Sequence, residues 1–409
     1  CKNMDEFTYE EHITINKLLN KLQQSVVNHD IEYLNRHNIP STIDKCFAIA
    51  RLFKKKCTKV SKERTACYMC KKSIKHFYDG FNNLCFNCGK IHIDKLNQKY
   101  DMTGKIALVT GGRIKIGYYT TIRLLRNNCF VIITTRFPSD AYDRYSKEPD
   151  FKLWKNNLHI YGIDFRFVDT VRQFIDTISS TYDKIDILIN NAAQTICHSS
   201  SYYTQLIENE TMNETMNETM NEHIQYNFNV IQNKTITCDK KQVRMLSQLD
   251  LVDRCIDTDI MNSWVLKIDQ IDIKECAEVM IINTIIPFYL INSLFDKMKN
   301  NDSLIINVSS MEGNFNTRKN GNHIHTNMAK ASLNMLTMSS AEYLEKNKIY
   351  ITSVDPGWAS HEKPSSEGLE TPIDCIDSAS RVLDPIFTYY IHGKKQIGVL
   401  MKDYKKYDW

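Results

Sequence analysis

From Thr103 onward the chain alternates short apolar runs with amphipathic stretches, and this alternation restricts the available folds more than any other feature. The runs "KIALVTGG", "CFVIITTR", "LHIYGIDF", "IDILINNAA", "SLIINVSS" and "IYITSVDPG" are nearly continuous in apolar residues rather than alternating apolar and polar. Such runs suit strands buried on both faces. With helical segments between most of them, they predict an α/β domain over residues 101–409: a Rossmann-like, doubly wound parallel sheet covered by helices on both faces. The pattern breaks between about 200 and 262, where "ENETMNETMNETMNEH" repeats a four-residue unit and a polar stretch without clear period follows. The Asn-x-Thr triplets arise from the repeat, so this reads as a low-complexity surface insertion rather than a set of glycosylation sites. A flexible lid is the second reading.

A different region precedes this domain. Residues 1–60 hold no strand-like run, and "FTYEEHITINKLLNKLQQSVV" places Ile13, Ile15, Leu18, Leu19 and Leu22 at helical spacing. After Pro40, "STIDKCFAIARLFKKK" offers Ser41 or Thr42 as a cap and Asp44 in the first turn, so a small helical region is expected. Residues 61–100 contain "CYMCKKSIKHFYDGFNNLCFNC", two Cys-x-x-Cys pairs, Cys67 with Cys70 and Cys85 with Cys88. Four thiolates at this spacing can surround one zinc ion tetrahedrally, and a closed site of that kind is structural. His76 could replace one ligand, but the four cysteines already complete the set. Four reduced buried cysteines are the alternative.

Composition narrows the class. With 409 residues, 42% hydrophobic and 24% charged, the chain reads as a soluble globular protein of two or three domains. The stretch "MIINTIIPFYLI" (280–291) is too short for a membrane span and carries Asn283, so no membrane segment is expected. The sequence begins at Cys1 rather than Met, which leaves a preceding segment open, and shows no signal peptide. Thirteen cysteines scattered along a long chain argue for a reducing compartment, and a cytoplasmic location is expected. The net charge of +4 is unremarkable, but residues 51–75 carry ten Lys/Arg against the single acid Glu63. That segment could neutralise nucleic-acid phosphates; a solvated basic linker is the plainer reading.

The stretch "GKIALVTGGRIKIGYYTTIRLL" (104–125) reads as a strand, a glycine turn and a helix. Glycines there let the backbone approach a pyrophosphate whose charge is met by the helix N-terminus. Four segments follow in order: "IDFR", "LINNAA", "NVSSMEG" and "SVDPGW". On these the chain resembles the short-chain dehydrogenase/reductase family over roughly residues 103–200 and 270–403. It is similar in particular to a subgroup in which a zinc knuckle precedes the domain and the turn reads Gly-Gly-Arg-x-Lys-Ile-Gly. The resemblance implies an NAD(P)-dependent oxidoreductase moving hydride to or from a carbonyl or alcohol, and a dimer or tetramer. It implies that the turn residues Gly111, Gly112, Arg113, Lys115, Ile116 and Gly117 line the cofactor phosphates and that Asp164 meets the adenine. It further places Asn190, Asn191 and Ala192 beside the adenosine ribose and Asn283 in a proton relay. Ser310 would orient the substrate carbonyl, Lys330 hold the nicotinamide ribose, and Pro356 with Gly357 back the nicotinamide ring.

Three positions bear on activity. Lys115 falls where the family turn has its middle glycine; it either offers its ammonium to a phosphate or crowds the pyrophosphate with its Cβ. At the end of the second strand, "VIITTRFP" supplies Thr134, Thr135 and Arg136 and no carboxylate, which favours the 2′-phosphate of NADP over the ribose hydroxyl of NAD; an ordinary surface arginine is the alternative. In the Tyr-x-x-x-Lys element, Thr326 stands four residues before Lys330 where the family tyrosine is expected. An aliphatic hydroxyl is too weak an acid for that lysine to tune. Either His323 or His325 takes over, or the reaction needs no such acid, or the domain binds cofactor without turnover. The last case makes the protein a catalytically weak dinucleotide-binding sensor or interaction protein that uses its zinc knuckle. Tyr202, Tyr203 and Trp358, with the polar loop "WASHEKPSSEGLETP" (358–372), are candidate pocket residues and equally ordinary half-buried aromatics.

Overall fold

A computed structural model describes residues 66–78, 81–195, 262–359 and 371–409, together with Tyr203, Leu206, Ile207, Glu210 and the strand Ile224–Asn227. The expected helical region (1–60), most of the basic segment, Tyr202, the centre of the 358–372 loop and most of the insertion lie outside the described residues. The chain divides into two compact units, one running to Asn97 and including Lys147–Leu153, the other comprising Gln98–Ser146 and Trp154–Trp409.

In the smaller unit, β1 (Phe77–Tyr78) pairs antiparallel with β2 (Phe81–Cys85), and α1 (Phe86–Leu96) follows directly. Its buried core is Cys67, Phe81, Leu84 and Cys88. A core of four side chains is too small to hold a fold of this size on hydrophobic burial alone, so the cysteine cluster matters to it.

The larger unit is built on nine strands in the order β11-β10-β9-β8-β6-β3-β4-β5-β7. They are β3 (Ile106–Thr110), β4 (Phe130–Thr135), β5 (Leu158–Gly162), β6 (Ile187–Asn190), β7 (Ile224–Asn227), β8 (Ser303–Val308), β9 (Ile349–Asp355), β10 (Leu400–Lys402) and β11 (Lys405–Tyr407). All neighbours are parallel except β10 and β11. The chain leaves β3 toward β4 on one side and returns to β6 on the other, so a crevice opens at the C-terminal end of β3. Every residue of β6, β8 and β9 is buried, which is why these runs are continuously apolar.

Helices α2 (Lys115–Leu125), α3 (Pro138–Ser146), α4 (Val168–Thr181), α5 (Ile273–Met280), α6 (Ile286–Ser293), α7 (Ile324–Lys346) and α8 (Cys375–His392) accompany the sheet. One core cluster joins Leu108, Ile132 and Ile305 of the sheet to Phe174 of α4 and to Ile286 and Leu290 of α6. The continuous helical stretch Ile273–Ser293 is apolar and long enough to cross a membrane by length and composition. Here one face packs against the sheet, burying Val279, Ile282, Ile286 and Leu290, while Ile273, Ile285 and Phe288 stay exposed. A π-turn over Ile281–Ile285 joins α5 to α6. α8 starts with a reciprocal cap between Asp374 and Asp377.

The insertion is not wholly external to the fold. Its strand β7 lies beside β5 and extends the sheet by one parallel strand. The backbone groups of an edge strand invite such pairing, and a four-residue strand inside a polar, repetitive segment leaves no hydrophobic pattern to announce it.

Candidate functional site

The glycine turn is held from three sides. Gly111 and Gly112 donate N–H bonds to the Thr134 carbonyl at the end of β4, 3.0 and 3.1 Å. The Thr110 hydroxyl accepts N–H bonds from both Asn191 and Ala192 at 2.9 Å, and the Asn191 amide donates to the carbonyls of Thr110 and Gly111. From α3, the Tyr145 hydroxyl donates to the Gly112 carbonyl at 2.5 Å. A Cβ on Gly117 would lie 2.1 Å from the Gly111 carbonyl oxygen, so no other residue fits where α2 packs under the turn. Ile114 gives α2 no side-chain cap. The helix therefore presents its first N–H groups toward the turn, the arrangement an anionic phosphate fits.

Lys115 has φ +52°, the left-handed conformation that favours glycine. The turn thus keeps the backbone path of the glycine it lacks, and the lysine side chain is half-buried beside Ile116. Arg113 does not point to an open phosphate site: its guanidinium binds Asp140 at 2.7 Å, and Arg144 binds the same carboxylate. Burial pushes the Asp140 carboxyl up, but the two arginines outweigh it and hold it below its usual range.

Arg136 follows β4 and stacks against two rings, 4.7 Å from the Tyr203 centroid and 5.6 Å from that of Phe137; its Nη2 donates to the Tyr203 hydroxyl at 3.2 Å. Asp164 is buried after β5 and gripped by Arg166, with Nη2 to Oδ2 at 2.6 Å and Nε to Oδ1 at 3.1 Å. Asn190 donates to Asn307 across β6 and β8. Pro356 and Gly357 follow β9, where the Gly357 N–H donates to Asp355, itself paired with Lys402.

At the other end of the crevice, Asn283 occupies the π-turn and exchanges two 2.8 Å bonds with the backbone of Gln194. A π-turn re-aims one side chain out of the helical register, and such turns recur at functional positions. Ser310 lies two residues beyond β8, and a Cβ on Gly313 would lie 2.4 Å from the backbone carbon of Lys330, so this short turn lies hard against α7. Thr326 is buried and donates to the Thr195 carbonyl at 3.3 Å. Lys330 is buried and donates to the Val308 carbonyl at 2.8 Å. Burial lowers its pKa to about 8, against a weaker opposing pull from Glu312.

The two histidines sit differently. His323 is the residue before α7, at φ +38° and ψ +45°, with its ring stacked 4.1 Å from that of Trp264 and Nδ1 2.9 Å from the Trp264 carbonyl. The helix begins after it, so it does not share the face of Thr326 and Lys330. His325 lies within α7, 1% exposed, with the Thr195 backbone as its nearest hydrogen-bonding group. Burial lowers its pKa, opposed by the charge of Glu275. A cleft of about 640 Å³ adjoins this end, lined by Glu312, Arg318, Lys319, His323 and Asn327 among others. Trp358 is exposed at its described edge of the 358–372 loop.

Sequence reasoning missed Thr110, Tyr145, Gln194 and Trp264. Thr110 sits directly before the glycines and could have been found there; Trp264 borders a patternless segment and could not.

In the smaller unit the sulfurs of Cys67, Cys70, Cys85 and Cys88 all lie within 4.8 Å of one another, with Cys70 and Cys85 at 3.8 Å. Zinc–sulfur bonds of about 2.3 Å in a tetrahedron set the sulfurs about 3.8 Å apart. The Cys85 N–H donates to the Cys67 sulfur. Burial pushes the Cys67 thiol up, but backbone N–H groups outweigh it and bring it to about 7.

The short chain dehydrogenase family profile matches residues 105–247 and 209–364. An uncharacterised protein of Acanthamoeba polyphaga mimivirus is 31% identical over 358 residues, which cover 83% of this chain and 74% of that one. The 2-dehydro-3-deoxy-D-gluconate 5-dehydrogenase of Pseudoalteromonas atlantica is 33% identical over 95 residues, 23% of this chain and 37% of that one. Among solved structures, the NADPH-bound carbonyl reductase from chicken fatty liver is 17% identical, with 75% of this chain and 100% of that one covered and a TM-score of 0.49. This chain belongs to the short chain dehydrogenase family.

Lys330 gives a pH signature. Its pKa is about 8 in the fold against an ordinary 10.5, so the folded chain binds fewer protons than the unfolded one between those values. Stability therefore rises with pH across that window, and the burial penalty is complete below it. Lys330→Met is expected to unfold at higher denaturant than the parent at about pH 7, by on the order of 3 kcal/mol at most, with the difference closing toward pH 10.5.

Proposed function

We propose that this protein is an oxidoreductase that interconverts a carbonyl and an alcohol with a nicotinamide dinucleotide, NADP(H) preferred, and uses Lys330 as the proton donor that replaces the family tyrosine. The observation that carries the reading is the convergence of Lys330, Thr326, Ser310 and Asn283 at the same end of the sheet as the uncapped α2 terminus. The residues fit the cofactor. Gly111 to Gly117 would hold the pyrophosphate, Arg136 the 2′-phosphate, Asn191 and Ala192 the adenosine ribose, and Gly357 the nicotinamide face. Asp164 would reach the adenine only while still gripped by Arg166. When bound, the nicotinamide supplies or accepts the hydride.

The chain's own residues then have defined tasks. Ser310 orients the carbonyl oxygen. Lys330 lies four residues after Thr326, on the same helix face, and a pKa of about 8 divides it between ammonium and amine near working pH. In reduction the carbonyl carbon gains hydride and its oxygen gains the proton of the Lys330 ammonium, which returns as the amine; oxidation is the reverse. Asn283, tied to Gln194, lines the route by which Lys330 recovers a proton. His323 is held by Trp264 and His325 is buried beside Glu275, so neither is assigned this task. A dinucleotide-binding protein without turnover is the second reading, favoured by the Thr326 hydroxyl being spent on Thr195.

Calorimetric titration of the zinc-loaded protein tests cofactor choice. NADPH is expected to bind in the micromolar range and NADH at least tenfold more weakly, with Arg136→Gln removing the difference; equal affinities in the parent would refute the preference. Thr326→Tyr is expected to raise reduction of generic aromatic aldehydes by an order of magnitude or more. No gain in a folded, NADPH-binding variant would mean that the site is shaped for another reaction. For the smaller unit we propose a structural zinc on the four cysteines, supported by their spacing. Elemental analysis should return one zinc per chain, and Cys88→Ser should lower both the zinc content and the protease resistance of residues 66–97.

A further inference from the structure

We infer that Tyr203 and Glu210 form a clasp for the adenosine end of the nucleotide site, positioning Arg136 and the first turn of α3. The inference rests on the nucleotide-binding reading above.

Two independent anchors tie the insertion to this place. The first is Tyr203. Its ring stacks on Phe137, with centroids 6.0 Å apart and planes 19° from parallel, and it flanks the Arg136 guanidinium while its hydroxyl accepts from Nη2. The guanidinium lies against the edge of this stacked pair and is held by the hydroxyl bond, which narrows its orientations, whereas an unsupported arginine samples many. Arg136 stands two residues beyond Thr134, whose carbonyl receives the Gly111 and Gly112 N–H bonds. The stacked arginine is therefore at the mouth of the phosphate turn.

The second anchor is Glu210. It is 1% exposed, and its two carboxylate oxygens accept the backbone N–H groups of Ser139 and Asp140, each at 3.0 Å. These are donors of the first turn of α3, where a negative charge is favoured. Burying a carboxylate is costly unless it is well bonded, so this contact is specific rather than incidental. It also has a consequence for recognition. A nucleotide phosphate cannot use amides that Glu210 already occupies, so discrimination at this end falls on Arg136.

The two anchors meet at Arg113, which lies 5.1 Å from the centre of the Phe137 ring on which Tyr203 stacks. Asp140, whose N–H is held by Glu210, binds Arg113 of the glycine turn through its carboxylate. Glu210 thus connects the insertion to α3, and α3 to the loop that receives the pyrophosphate. Adenosine 2′-phosphate selectivity, rather than nucleotide binding as such, is what this arrangement sets.

The test uses the full chain with NADPH, NADH and 2′,5′-ADP as calorimetric probes. Tyr203→Leu is expected to weaken NADPH and 2′,5′-ADP about tenfold while changing NADH less than twofold, and Tyr203→Phe, which keeps the stack, to retain most of the affinity. Glu210→Gln keeps the volume but loses the charge, and is expected to lower the NADPH-to-NADH preference several-fold. In a double-mutant cycle, Arg136→Gln should erase the effect of Tyr203→Leu on that preference, a coupling that a merely structural role would not produce. Equal weakening of both nucleotides, or additive effects in the cycle, would overturn the clasp. Failure of the parent to bind any of the probes would instead overturn the nucleotide-binding reading itself.

Discussion

One hydroxyl holds the crevice together. Thr110, the last residue of β3, donates to the Ile189 carbonyl and accepts from the backbone of Asn191 and Ala192, so a single side chain binds the ends of two neighbouring strands at the point where the sheet changes winding direction. Everything that follows in the site is referenced to that junction. The glycine turn starts there, the Asn191 amide folds back onto it, and Gln194, a few residues further, meets Asn283 of the π-turn. The glycine-turn end and the Asn283 end of the crevice are thereby fixed relative to one another through one short segment of backbone.

Thr326 occupies the position where the family resemblance expects a tyrosine, four residues before Lys330. In the usual arrangement a lysine lowers the pKa of a phenol, and the phenol carries the proton. Here Thr326 stands in that place, and Lys330 is buried against the Val308 carbonyl with the charge of Glu312 opposing the effect of burial. Burial then acts on the lysine itself and brings it toward neutrality.

The sheet was legible in the sequence because two-sided burial demands continuous apolar runs, and each of the six runs became a strand. The glycine turn was legible because its constraints are steric: Gly117 has a carbonyl where a Cβ would go. Lys115 could not be decided from its identity, since only the backbone dihedral tells whether a lysine has adopted the conformation of the glycine it replaces. The roles of His323 and His325 were also out of reach. They depend on where α7 begins, and a one-residue difference in that start moves each side chain by about a quarter turn. Least legible was the insertion, where Glu210 and Tyr203 act through tertiary contacts and sit in a segment whose repeats imitate a disordered linker.

The placement of β7 gives the insertion a second meaning. A sheet that ended at β5 would present a bare parallel edge, and such edges recruit strands from other molecules. By supplying its own terminal strand the chain covers that margin from within, while the short antiparallel β10–β11 ribbon finishes the opposite side. The margin of the sheet on this side is therefore formed by β7, a strand whose backbone rather than its side-chain pattern places it there.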